Sequence, residues 1–189
     1  MNSKFIKKIF LYNTSIFIFF GLLFLFFPSL DIYFSNFFFI ENQFISEKYS
    51  IIKVFRVYLK NLMIFIPVLS LIILFINFIN KRQNMRKLIN QRTKFALVGL
   101  VVGPILGCGI IANLYFKDTW GRARPVHIEE FGGEKIFTPA FFKSDQCEKN
   151  CSWISGETSA AFSLTVGTIL LKNPIFFISN VFLGFCVFF

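Results

Sequence analysis

Apolar residues in this chain come in long uncharged blocks separated by short polar and basic segments. Residues 9–30 contain no charge and are long enough to cross a hydrocarbon layer about 30 Å thick. Residues 61–80 form a second such block, with Pro67 as a kink site, and residues 95–116 a third. A shorter apolar stretch over 155–172 ends at Lys172, and after the break at Asn173-Pro174 a last one fills 174–189. The pattern predicts an all-α, polytopic transmembrane helical bundle with five spans in a single membrane domain, 1–189. The third block carries Gly99, Gly103, Gly107 and Gly109, so neighbouring helices are expected to approach it closely. Between the first two blocks, residues 31–56 are mixed, and "IYFSNFFFI" within them reads as an interfacial turn or short helix.

The composition agrees with lipid as the solvent: 55% of the residues are hydrophobic and 30 are Phe. The Phe excess is read as apolar fill. A net charge of +10 would suit nucleic acid, but its placement excludes that class, because the basic residues flank apolar blocks. Lys4, Lys7 and Lys8 precede the first block, and six basic residues between Lys81 and Lys94 separate the second from the third. The positive-inside rule puts both groups in the cytoplasm. The N-terminus is then cytoplasmic and the polar loop 117–154 lies outside, which in a bacterial inner membrane is the periplasm. A cleaved signal peptide fits poorly, since the first block is long and no small-x-small site follows it. No span carries the buried ionisable residues that mark an ion pathway.

The loop holds the chemistry. "KDTWGRARP" opens it, with Lys117 and Arg124 seven residues apart; on a helix these two share a face, whereas Arg122 points elsewhere. Pro125 disfavours helix at Arg124 and is expected to end the element. Two cations at a membrane surface suit a phosphoryl group, with non-specific headgroup attraction as the plainer alternative. Cys147 and Cys151 are a candidate disulfide in an oxidising compartment. With one histidine in the chain a metal site is the weaker rival, and no metal or cofactor is expected. Cys108 and Cys186 read as small hydrophobes. "CSWISGETSAAFSL" closes the loop. Ser155 is a plausible helix cap, Gly156 lets an anion approach the backbone, and Glu157 suits the positive end of a helix dipole.

Lys-x6-Arg-Pro after one span, followed by Ser-Gly at the start of the next on the outer side, resembles the type 2 phosphatidic acid phosphatase family of the acid phosphatase/vanadium haloperoxidase superfamily. Bacterial members acting on lipid A or undecaprenyl-type phosphates look most similar. The resemblance implies a bundle of about six spans, a metal-free phosphate site at the periplasmic membrane surface, and a phosphorylated membrane lipid as partner. Lys117 and Arg124 would hold phosphoryl oxygens, with Arg122 in support, and Ser155 and the Gly156 N–H would complete the cradle.

Two departures stand out. The family's Pro-Ser-Gly-His reads Ile154-Ser155-Gly156-Glu157 here. Glu157 is the candidate general acid in place of that histidine, a role open to a carboxyl kept protonated by apolar surroundings. An ionised Glu157 would repel a phosphate dianion unless Arg122 or Arg124 neutralised it. The third motif, Ser-Arg-x5-His-x3-Asp, supplies the nucleophilic histidine of the family and does not occur in the 189 residues. His127, the one histidine, lies where the family has no nucleophile and reads as a solvated loop residue. The expectation is a C-terminally truncated lipid-phosphate phosphatase, inactive alone; a second enzyme reading is that a separately encoded C-terminal fragment supplies the missing helix and motif and restores activity. The alternative is a non-catalytic membrane protein that binds phosphorylated lipid headgroups.

Overall fold

The computed structural model describes residues 3–83, 85, 88–171, 178–179 and 181–182. They are mostly helical, with one short β-hairpin, and fall in two compact units. One comprises residues 1–53 and 116–153, the other residues 54–115 and 154–189.

In the first unit, α1 (Ser3–Phe26) stops short of the expected end at residue 30. Pro28 is the reason: it disfavours helix at Phe27 and has no N–H to continue the ladder. The chain bends by 98° there and resumes as α2 (Ser29–Asn36). The "IYFSNFFFI" stretch becomes the end of α2 and the first strand of a small hairpin, β1 (Phe39–Ile40) and β2 (Gln43–Phe44). Glu41 and Asn42 both take left-handed backbone angles in its two-residue turn, which matches the twist of the paired strands. Phe39 and Phe44 meet edge to face across the pair at 5.1 Å and both meet Phe131, at 5.0 and 5.1 Å. With Ala123 and Ile128 these rings form the core of the unit. The turn α3 (Ile45–Lys48) follows, and Glu41 accepts from Lys48 at 2.7 Å, which raises the lysine pKa above its ordinary 10.5.

Helix α4 (Ser50–Arg82) has 33 residues, beginning eleven before the expected 61. The added turns carry Lys53, Arg56 and Lys60, at positions that fall on one helical face. At about 1.5 Å per residue the helix is about 50 Å long, more than the roughly 30 Å of hydrocarbon, so a charged overhang is physically reasonable. The helix continues through Pro67, and Ser70 Oγ donates back to the Ile66 carbonyl at 2.8 Å.

Helix α5 (Gln91–Pro104) is capped by Asn90, whose side chain accepts from the Thr93 N–H at 2.8 Å. Beyond Pro104 the same rod runs on in π register over Ile105–Lys117. The proline has no N–H for the i−4 carbonyl, and the backbone bonds re-form one residue further back. The short apolar stretch expected over 155–172 is broken at Leu164 into α6 (Gly156–Ser163) and α7 (Thr165–Leu171).

These last helices pack on α5 through glycine. A Cβ on Gly99 would lie 2.9 Å from Gly167 Cα, and one on Gly167 would lie 2.6 Å from the Ala96 carbonyl oxygen. A Cβ on Gly103 would lie 2.3 Å from the Ser163 carbonyl oxygen. The small-residue face expected of the third block is therefore the packing seam of this unit.

Among the described residues, Ser50–Arg82 and Gln91–Lys117 are long and apolar enough to cross a membrane, and the bent pair α1–α2 is a third if it counts as one span. The span expected at 174–189 lies outside the described residues, apart from 178–179 and 181–182.

Candidate phosphate-binding site

The first motif lies in the loop unit. Lys117 ends the π-register segment, and helix persists only to Thr119 before Gly121 turns the chain with φ +71°. A side chain at Gly121 has no room, since its Cβ would sit 1.7 Å from the Ser144 carbonyl oxygen. Arg124 is extended, at φ −77° and ψ 151°, and Pro125 opens a 3-10 turn to His127. Lys117 and Arg124 therefore do not share a helical face; the glycine turn ends the helix before Arg124. Pro125 has the expected effect on the residue before it.

An antiparallel pairing with the end of the same loop positions the motif instead. The Cys151 N–H donates to the Lys117 carbonyl at 2.9 Å, and the Ser152 N–H to the Arg122 carbonyl at 2.8 Å. Arg124 donates from Nε and Nη2 to the Asn150 carbonyl, at 3.0 and 2.7 Å. Asn150, in the left-handed region, places its own N–H 3.3 Å from Asp118 Oδ1. Cys147 and Cys151 are joined in a disulfide with Cα atoms 5.7 Å apart, so the crosslink closes the turn that presents Asn150 to Arg124. Trp120 and Trp153 stack at 5.7 Å, with Phe116 and Phe141 edge-on around Trp153.

Arg122 is only 5% exposed and is used within the unit. It donates to Asp31, to the Thr138 carbonyl at 2.6 Å and to Ser152 Oγ at 3.2 Å. It sits against the Phe137 ring, 5.5 Å from the centroid. These bonds tie α2 and both sides of the loop together. His127 is exposed.

Converting Cys147 and Cys151 to serine is expected to lower the stability of the loop unit by about 2 kcal/mol, from the closure entropy of so short a loop. Denaturant titration of the double variant against wild type, with and without reductant, measures this. An unchanged midpoint would mean that the pairing across the loop holds without the crosslink.

The second motif opens α6 in the helical unit. Ser155 is extended, at φ −65° and ψ 120°, and its Oγ accepts from the Thr158 N–H at 3.3 Å. The cap read from the sequence is present. Cys108 donates from Sγ to the Gly156 carbonyl at 3.2 Å, and Ser159 Oγ donates to the Gly107 carbonyl at 3.1 Å. Both contacts tie the start of α6 to the π-register segment, so Cys108 is more than apolar fill. Glu157 accepts from Arg56 Nε on both oxygens, at 3.0 and 2.9 Å. Reading the sequence offered Arg122 or Arg124 as the neutralising cation, but the structure gives Glu157 the α4 residue Arg56. The available signal was the spacing of Lys53, Arg56 and Lys60, which marks one helical face. Among the described residues no group of three or more His, Cys, Asp or Glu could hold a metal ion.

Long apolar helices, a glycine-packed seam and two polar motifs flanking one disulfide-closed loop define an all-helical membrane protein. The chain belongs to the PAP2 superfamily, whose family model matches residues 94–189 and so takes in both motifs. It is 45% identical over 94 residues to the lipid A 4'-phosphatase of Francisella tularensis subsp. novicida (strain U112), covering 48% of this chain and 40% of that one. It is 39% identical over 71 residues to the lipid A 4'-phosphatase of Rhizobium leguminosarum, covering 38% of this chain and 29% of the relative. The chain thus matches less than half the length of these curated relatives. No solved structure matches it.

Proposed function

We propose that this chain carries phosphate-binding motifs of a membrane phosphatase acting on a phosphorylated lipid, with the 4'-phosphate of lipid A as the first substrate to test. The observation that carries the reading is the intact Lys117, Arg124, Pro125 motif together with the Ser155-capped start of α6, in a chain 45% identical over 94 residues to a lipid A 4'-phosphatase. Lys117 and Arg124 are the cations for phosphoryl oxygens. Ser155 and the Gly156 N–H are the neutral donors for charge that develops during transfer. Arg122 supports the site by holding the loop in register.

The Cys147–Cys151 bond supports an outward-facing loop, since disulfides persist in oxidising compartments. The basic segments flanking the apolar blocks support a cytoplasmic N-terminus in a bacterial inner membrane. The nucleophilic histidine of the third motif is not among the 189 residues. Hydrolysis by the family's mechanism needs a segment bearing Ser-Arg-x5-His-x3-Asp, whereas phosphate binding rests on the two motifs present here.

The test is phosphate release from lipid A in mixed micelles, by the chain alone and by the chain joined to such a segment. Release by the joined protein is the expected result. Binding of lipid A without release by either form would favour the headgroup-binding reading. Failure of the chain to bind phosphorylated lipid at all would sink both.

A further inference from the structure

We propose that Arg56 is a phosphate-contacting residue at the Ser155 end of α6, within the helical unit, and that Glu157 is its positioning residue, in place of the proton-donor role open to Glu157 from sequence; the proposal rests on the lipid-phosphate reading above. Glu157 uses both carboxylate oxygens on one nitrogen, Arg56 Nε, at 3.0 and 2.9 Å. Both carboxyl oxygens thus act as acceptors toward the guanidinium. With Nε occupied, the Nη1 and Nη2 groups have no hydrogen-bond partner among the described residues. The Arg56 side chain is 58% exposed, whereas Glu157 is 26% exposed. The acid is thus the more sheltered anchor, and the guanidinium carries the accessible donors.

An ion pair this exposed contributes little to stability. Its physical consequence is orientation: a long, rotamer-rich side chain is held at one end while its outer donors stay open. Those donors lie in one plane with the spacing that two phosphoryl oxygens accept. The pair also settles the charge problem at the start of α6. A lone Glu157 carboxylate two residues from Ser155 would repel a phosphate dianion, and Arg56 cancels that charge at contact distance. Arg56 comes from the overhanging first turns of α4, where a 33-residue helix exceeds the hydrocarbon thickness. The ligand class is a phosphomonoester, carried on a lipid or free.

The experiment is calorimetric titration of the purified chain in detergent with short-chain phosphatidic acid, phosphatidylglycerol and inorganic phosphate. Wild type is expected to prefer the monoester lipid. Arg56→Gln is expected to weaken phosphatidic acid binding about tenfold, the effect of losing one charge-assisted contact. Arg56→Lys should not restore it, because an ammonium has no planar pair of donors. Glu157→Gln should weaken binding in the same direction, and the Arg56→Gln/Glu157→Gln double variant should bind no more weakly than Arg56→Gln alone. A matching loss with inorganic phosphate assigns the contact to the phosphoryl group itself; a loss with phosphatidic acid alone assigns it to the lipid-borne headgroup.

An equal loss with phosphatidylglycerol overturns the proposal, since bulk charge then accounts for it. Unchanged binding by Arg56→Gln alongside lost binding by Lys117→Ala overturns this inference and leaves the lipid-phosphate reading standing. Absence of monoester binding in wild type overturns both. Circular dichroism of each variant separates loss of the contact from loss of fold.

Discussion

Alanine at both Lys117 and Arg124 is expected to abolish saturable binding of phosphomonoester lipid, with affinity falling at least about 100-fold. Each residue supplies a charged donor, and a hydrogen bond to a charged group contributes about 1.5–3 kcal/mol. Two such losses are worth roughly two or more powers of ten in affinity. The single variants separate the components. Lys117→Ala removes a side chain whose backbone carbonyl still accepts from Cys151, so the loop pairing survives. Arg124→Ala removes the two donors to the Asn150 carbonyl as well, and is expected to loosen the loop while it weakens binding. Salt titration distinguishes a built site from a basic flank, because non-specific attraction to anionic lipid fades as the Debye length shortens. Binding by the double variant that matches wild type, at low and at physiological salt, would remove these residues from the site.

The second large effect concerns the helical unit. Gly103→Ala is expected to destabilise it by about 3 kcal/mol, the upper end of the usual overpacking cost. The added Cβ would lie 2.3 Å from the Ser163 carbonyl oxygen, which belongs to backbone and cannot swing aside as a side-chain tip can. Relief requires α5 and the α6–α7 pair to separate, which would carry the start of α6 with it. Gly109→Ala is the matched control, because its Cβ meets nothing nearer than the Pro104 carbonyl at 3.8 Å. That change is expected to stay within about 0.5 kcal/mol. Unfolding midpoints of the two variants in detergent give the comparison. Equal midpoints would mean that the seam is softer than its spacing implies.

Long uncharged blocks, loop cysteines and the two motifs were legible in the sequence because each is a local property. An apolar block needs no partner to be read as a span, and Asn90 and Ser155 cap helices that begin at the next residue. The glycines of 95–116 marked a seam because a missing side chain has one obvious use in a helix pair. Boundaries were less legible. The first helix stops four residues before the expected 30, since Phe27-Pro28 forces a 98° bend inside an apolar run. The second begins earlier than expected, since a charged overhang breaks apolarity without breaking the helix.

Pairing was illegible for a different reason. Seven-residue spacing puts Lys117 and Arg124 on one face only while the helix lasts, and the turn at Gly121 ends it. Arg122 was expected to support the phosphate or neutralise Glu157, and its donors go to Asp31, Thr138 and Ser152, residues 91, 16 and 30 positions away. Glu157 found Arg56 across 101 positions. A hydrogen bond between distant residues leaves no periodic trace in either segment, so only the packed chain decides which cation meets which acid. By itself the sequence determined a helical membrane chain with the motif pair of its superfamily, because hydropathy and capping act over a few residues. The tertiary structure decided the ion pairs and the loop register, because those depend on which segments the fold brings within 3 Å.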